Sequence, residues 1–214
     1  MVRLDHERIR DAERTRADIL AVATREFADR GYAGARVDEI ARRMSTTKRM
    51  IYYYFGGKEQ LYVSVLEAAY AEMRGYEQEI DVSALEPLDA IREIAERTFD
   101  HHTSRQDFVR LVAIENIHRA TFLREVGAPE TLALPALELI DTVLRRGRAS
   151  GVFRDDVDAT DVHMAISSFC VFPVANRHTF GYLFGRDLLN QSRAGHYRQM
   201  LGDMIVALLT PAAA

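Results

Sequence analysis

Cysteine occurs once in this chain of 214 residues, at Cys170. A single thiol excludes an internal disulfide and any cysteine-based zinc cluster. Its place in the apolar run ISSFCVF reads as a buried, inert thiol rather than a redox sensor. Lysine is nearly as scarce: Lys48 and Lys58 stand alone, and arginine supplies the other basic side chains. No apolar run approaches the eighteen or so residues a membrane helix needs. The opening MVRLDHERIRDAERTR is charged throughout and lacks the hydrophobic core of a signal peptide. Neither an H-E-x-x-H zinc motif, a G-x-S-x-G elbow nor a G-x-G-x-x-G turn occurs, so no metal or cofactor is implied. Alternating strand patterns, repeats and low-complexity tracts are missing too. What survives these exclusions is a cytoplasmic, all-α chain with no membrane segment.

The composition that remains, 48% hydrophobic and 28% charged, is ordinary for a globular protein large enough for one large or two small domains. The net charge of −4 conceals a division. Residues 1 to 60 carry 13 Lys+Arg against 10 Asp+Glu, and the remainder carries 15 against 22. Between Arg36 and Lys58 there are six basic side chains and two acidic ones. A basic end on an acidic body turns the molecule toward a polyanion and keeps the body off it.

That basic segment, RVDEIARRMSTTKRMIYYYFGGK, holds two short helical periods around a polar hinge. Val37, Ile40, Ala41 and Met44 recur at three- and four-residue steps on one helix face. Ser45, Thr46 and Thr47 break the pattern, and Thr47 can cap the next helix. In the second period, Met50 or Ile51 with Tyr54 or Phe55 face inward, leaving Lys48, Arg49, Tyr52 and Tyr53 outside. Two helices joined by such a turn make a helix-turn-helix, whose second helix enters a DNA major groove. Cations in the first turn oppose the helix dipole, a penalty that makes sense if they point at something anionic. Arg49 can grip guanine in bidentate fashion, Lys48 a base or phosphate, and Tyr52 and Lys58 phosphate oxygens. The competing reading is an aromatic knot with a solvated basic face.

Residues Thr15 to Leu61, TRADILAVATREFADRGYAGARVDEIARRMSTTKRMIYYYFGGKEQL, closely resemble the DNA-binding domain of the tetracycline-repressor (TetR) family of bacterial transcriptional regulators. The shared pattern is I-L-x-x-A-x-x-x-F, then G-Y, I-A, Y-Y-Y-F and K-E-x-L. The resemblance implies a three-helix N-terminal helix-turn-helix domain, residues 1–57, on a C-terminal helical bundle, residues 58–214, that binds an effector and dimerises. It implies contact with a double-stranded operator through Arg36, Thr46, Thr47, Lys48, Arg49, Tyr52, Tyr53 and Lys58. Two positions depart from the family pattern. Ser45 stands where glycine is usual and must itself bear any positive φ. Arg49 replaces a small residue, so base preference does not transfer from relatives.

Around this head, Thr15 with Asp18 reads as a capping box, followed by the inward stripe Ile19, Leu20, Ala23 and Phe27 and a stop at Gly31. Residues 1–14 are a helical extension or a disordered arm. Gly56 and Gly57 precede a long helix from Lys58 to about Ile80. Further helical periods run over 88–103, 106–124, 131–149, 158–175 and 194–209, a helical bundle. Candidates for an effector pocket are Phe99, His102, Phe108, Val112, Glu115, Asn116, Arg119, Phe122, Phe169, Phe172, Asn176, Arg177 and His178, apolar groups with a few polar ones between helices. A satisfied polar cluster and plain aromatic core explain the same residues. The last two periods are strongly apolar; by resemblance they pair with a second copy in a C₂ homodimer, whose recognition helices read half-sites about 34 Å apart. The function implied is a repressor released from its operator by a small molecule. The alternatives are an architectural or protein-responsive DNA-binding factor, and a metalloenzyme built on the single E-x-x-H pair Glu115 and His118.

Overall fold

The computed structural model describes residues 2–127 and 129–211, with side chains described over 11–127 and 135–211. Within these bounds the secondary structure is α-helical, without a strand. The chain forms two compact units, Met1–Ala71 with Arg110–Gly127, and Glu72–Val109 with Ala128–Ala214. The first unit therefore extends past residue 57 and takes in a later segment of the chain.

The first unit begins with α1, Val2–Gly34. The N-terminal arm is thus the helical extension, and the capping box expected at Thr15 does not form. Thr15 lies inside the helix, where its hydroxyl donates to the Asp11 carbonyl at 2.7 Å. A capping box needs orphan amides at a helix start, and here the preceding turns already occupy them. Ile19, Ala23 and Phe27 are fully buried, as their spacing requires. Gly31 interrupts the helix at φ 68°, ψ 169°, a conformation that glycine reaches without steric cost, and one further turn carries the chain to Gly34. α2 (Val37–Arg43) and α3 (Lys48–Phe55) follow. They pack with α1 and the first half of α4 (Lys58–Gln78) around Ile40, Ile51, Leu61, Tyr62, Val65 and Leu66.

The expected helix over 106–124 is broken. α6 (Gln106–Ile117) ends before Arg119 and Ala120, whose φ values are 58° and 57°, and a short α7 (Leu123–Val126) resumes. Glu115 fixes this reversal: its carboxylate accepts the Leu123 amide at 2.9 Å and its carbonyl accepts the Ala120 amide at 2.8 Å. Phe122 then packs its ring 4.4 Å from Tyr32 and 5.1 Å from Tyr62.

The second unit is built on α5 (Pro87–Ser104), α8 (Pro129–Ala149), α9 (Ala159–Ala175) and α11 (Gln191–Leu209). Pro87 opens α5 at a position where its missing amide costs nothing. Asp158 and Asp161 form a reciprocal capping box on α9. Phe99, Val143, Leu144, Ile166, Cys170, Leu201, Ile205 and Leu209 make the core. Burial pushes the Cys170 thiol up to about 12, which keeps it protonated and unreactive. Gly147 lies under Phe153: a Cβ there would stand 1.9 Å from the ring. Pro173 is accommodated inside α9, two residues before its end. The periodicity missed α10 (Arg177–Phe184), which presents Tyr182, Leu183 and Phe184 to solvent at 89%, 69% and 68% exposure.

Candidate nucleic-acid interface

The hinge between α2 and α3 is closed by backbone bonds. The Thr46 amide donates to the Ala41 carbonyl at 3.0 Å and the Ser45 amide to Arg42 at 3.2 Å. This pair of bonds is the Schellman ending, which demands a left-handed residue. Ser45 takes that place at φ 52°, carrying a strain that glycine avoids. Thr47 is extended, φ −107° and ψ 149°, and its side chain accepts the Met50 amide at 3.3 Å. It is the cap that the sequence suggested.

Given that start, the helical period of α3 leaves only one face for the core. Ile51 and Phe55 are buried, at 0% and 6% exposure. Lys48, Arg49, Tyr52 and Tyr53 stand exposed on the opposite side, Tyr53 at 78%. Gly56, at φ 80°, ends the helix. Arg36 is exposed at the N-cap of α2, and its amide donates to buried Glu26 at 3.3 Å. Thr46 is half-buried in the turn.

The two lysines are tethered differently. Lys48 Nζ lies 3.2 Å from Asp38 and 5.8 Å from the Tyr52 ring centre; the Asp38 carboxylate holds its pKa above the usual value. Lys58 is half-buried, donating to the Ala33 carbonyl at 3.4 Å and lying 4.9 Å from the Tyr32 ring centre. Burial lowers its pKa, against the pull of Glu26. A cleft of about 440 Å³ beside this surface is lined by Arg30, Arg36, Arg42 and Arg43 with Glu26, Asp38 and Glu39. Hydrogen bonds from Arg42 and Arg43 hold the Glu39 carboxyl down at about 2. Arg30 and Arg43 were not singled out from sequence, although Arg30 sits at the end of the α1 stripe and Arg43 at the end of α2.

The effector candidates are divided between the two compact units. In the second, Phe99 and Phe169 have ring centres 6.1 Å apart, and His102 meets Phe108 edge-on at 5.7 Å. Arg177 pairs with Asp187 at 2.8 Å, Asn176 caps the junction of α9 and α10 and donates to the Phe172 carbonyl, and Phe172 and His178 are exposed. In the first unit lie Val112, Glu115, Asn116, Arg119 and Phe122. Asn116 is exposed and donates to the Val112 carbonyl, Arg119 is exposed, and Glu115 is buried beside Tyr62, whose hydroxyl burial and the Glu115 charge push upward. The E-x-x-H pair is broken by the end of α6, and His118 packs edge-on against Tyr32 and Phe122. Sequence reading passed over Arg74, Glu77, His101 and His163. Arg74 and Glu77 are one turn apart on α4, and Glu77 is one turn from the inward Met73; a charge at that register was the available signal.

Comparison with known proteins supplies the family. Residues 19–65 match the family model described as bacterial regulatory proteins, tetR family, and residues 87–205 match the tetracyclin repressor-like C-terminal domain. The HTH-type transcriptional repressor NicS of Pseudomonas putida is 32% identical over 197 residues, covering 92% of this chain and 93% of that protein. The HTH-type transcriptional repressor SCO4008 of Streptomyces coelicolor is 32% identical over 157 residues, covering 72% and 74%. Among solved structures, the ketosteroid transcriptional regulator KstR2 of Mycobacterium tuberculosis shares the fold with a TM-score of 0.69 at 19% identity, over 92% of this chain and 96% of that one. The chain belongs to the tetracycline-repressor family of DNA-binding transcriptional regulators.

Proposed function

We propose that this regulator is a homodimeric repressor whose α3 reads a pseudo-palindromic operator, and that a small molecule bound in the helical body releases it. The observation that carries the reading is α3 itself, where Ile51 and Phe55 anchor one face in the core while Lys48, Arg49, Tyr52 and Tyr53 stand exposed on the other. In this reading Arg49 contacts a base edge, Thr46, Thr47, Lys48, Tyr52 and Tyr53 surround it, and Arg36 and Lys58 meet phosphates. DNA reading resides in residues 1–57, and effector binding and dimerisation in 58–214. Of the effector candidates, Phe99, His102, Phe108, Phe169, Asn176 and Arg177 lie in the second unit and carry this reading. Dimerisation through α9 and α11 is supported by Met164, Phe172 and Met204, which are 65%, 45% and 51% exposed, and by an apolar groove of about 470 Å³ between α9, α10 and α11. Among the described residues no helix is long and apolar enough to cross a membrane, in keeping with a cytoplasmic regulator.

Release by effector is a coupling free energy, typically about 1–3 kcal/mol, exerted on a state whose two heads no longer match the half-site spacing. The test is salt-dependent binding to the DNA upstream of the protein's own gene against a scrambled duplex. A selective, steeply salt-dependent affinity is expected. Arg49→Ala should redistribute base preference, whereas Lys58→Ala should weaken all duplexes and reduce the salt slope by about 1.8, one phosphate contact being lost from each subunit of the dimer. Equal binding of both duplexes by the wild type would leave an architectural factor instead.

A further inference from the structure

The second unit contains a buried polar cluster that no packing requirement explains. Arg74 and Glu77 project from α4, His101 and His102 from α5 and His163 from α9. The Arg74 and Glu77 side chains are 16% and 6% exposed, and Arg74 Nη1 lies 2.7 Å from Glu77 Oε2. That contact is off the N–H axis. Neither of these two atoms, nor Arg74 Nε, completes a hydrogen bond among the described residues. His101 is 6% exposed, and among the described residues neither ring nitrogen has a hydrogen-bond partner. Buried polar atoms are nearly always satisfied, and clusters of exceptions call for a missing partner.

The chemistry of that partner follows from the donors. His102 is 5% exposed and its Nδ1 lies 2.9 Å from the Thr98 carbonyl; a carbonyl only accepts, so Nδ1 carries the proton and Nε2 offers a lone pair. Burial, with the Arg74 charge, holds His102 down at about 4 and lowers His163. Burial lowers His101 as well, against Glu72 and with Arg105. The imidazoles are therefore held toward their neutral forms. Glu77 is pushed up to about 7 by burial, with Arg74 opposing. The cluster therefore holds one permanent cation beside a carboxyl that burial keeps partly protonated near neutral pH. Around it are flat apolar rings: Tyr76 lies 4.5 Å from His101, and Phe108 lies 5.7 Å from His102.

We propose that Arg74 and Glu77 form the anchoring subsite for the carboxylate of a small monoanionic organic acid with a flat apolar body. The proposal rests on the effector-responsive reading above and gives it a ligand class. The entering carboxylate accepts from Arg74 Nε and Nη1, displacing Glu77 from its 2.7 Å contact. Glu77 takes up a proton and, once neutral, turns from competitor into donor. One guanidinium among neutral imidazoles matches a single negative charge, so a dianionic phosphate is the poorer fit.

Benzoate, with its neutral isostere benzamide as control, tests this on the full-length protein by titration calorimetry at pH 6 and pH 8. Benzoate is expected to saturate, to bind at least tenfold more tightly than benzamide, and to weaken about tenfold from pH 6 to pH 8 as Glu77 ionises. Glu77→Gln should abolish that pH dependence, and Arg74→Gln should abolish benzoate binding while operator DNA is still bound. If Arg74→Gln does not fold, Arg74→Lys and Glu77→Gln carry the test. The proposal fails if benzoate does not saturate at its solubility limit, if benzamide binds equally, or if the pH dependence survives Glu77→Gln. Operator binding without benzoate binding would remove this subsite alone. Benzoate binding by a protein that never selects its operator would remove the repressor reading and leave the subsite.

Discussion

Glu26 offers the sharpest test of how the head is braced. Its side chain is 4% exposed, one carboxylate oxygen accepts the Arg36 amide at 3.3 Å, and the other lies 3.2 Å from Arg43 Nη2. It thereby ties α1 to both ends of α2. The Arg36 amide gives a charged group one hydrogen bond, worth about 1.5–3 kcal/mol, while the Arg43 contact is an ion pair that completes no hydrogen bond at Oε2 among the described residues; two features reduce the figure further. The bond to Arg36 is long, and Arg43 is 37% exposed and keeps a second partner in Glu39 at 3.0 Å. Glu26→Ala should therefore cost about 2 kcal/mol, short of the 3–5 that follows when a buried charge is wholly abandoned. Glu26→Gln keeps an acceptor for the Arg36 amide and should cost about 1 kcal/mol. With a urea slope of about 2 kcal/mol per molar, the midpoint should fall by about 1 M for alanine and half that for glutamine. The comparison must be made at one protein concentration, since dimerisation enters the apparent stability. Operator affinity at 25 °C should change less than about twofold, because it falls only by the fraction of heads that open. A Glu26→Ala midpoint indistinguishable from wild type would refute the bracing argument, and a large loss of affinity in a fully folded variant would make Glu26 part of the DNA surface itself.

Three further outcomes follow from single residues. Ser45→Gly should raise the urea midpoint, since relief of the positive φ of 52° gains about 1 kcal/mol, partly offset by glycine's backbone entropy; an unchanged or lower midpoint would mean the turn holds Ser45 without strain. Gly147→Ala should lower stability by about 2 kcal/mol through overpacking, because Phe153 is only 4% exposed and cannot swing clear; thermal unfolding with wild-type midpoint would show that the helix ends shift freely. The buried ionisable groups set opposed pH slopes. A neutral His102 contributes stability that is whole above its unfolded pKa of 6.5 and is lost as pH falls toward about 4. Glu77, raised from 4.5 to about 7, contributes stability in acid that is lost as pH rises through that window. Glu77→Gln should therefore gain relative to wild type between pH 4.5 and pH 7 and keep the gain above it; urea titrations across that range showing no divergence would refute the burial argument.

The head was legible because its determinants are local. Thr47 caps α3 from three residues away, Ser45 closes α2 through bonds spanning at most five residues, and the three- and four-residue steps of Val37, Ile40, Ile51 and Phe55 state their own burial. The same locality misled at Thr15, where a cap pattern is only a cap if the helix starts there, and the charged residues upstream continue the helix instead. It misled again at Glu115 and His118: an E-x-x-H pair faces one way only on an unbroken helix, and the carboxylate that suggested chemistry is spent receiving the Leu123 amide across the reversal. α10 escaped notice because Tyr182, Leu183 and Phe184 are consecutive and exposed, so no inward stripe marks the helix. The polar cluster of the body lies furthest from what a sequence can state. Arg74, His101 and His163 stand on three helices, separated by 27 and 62 positions. Only packing brings the Arg74 charge to bear on His163, and only the accounting of unsatisfied atoms sets the proposed subsite apart from a structural ion pair. A structural pair would have spent its hydrogen bonds; among the described residues this one leaves both His101 nitrogens and two Arg74 donors unspent, the groups on which the proposal rests.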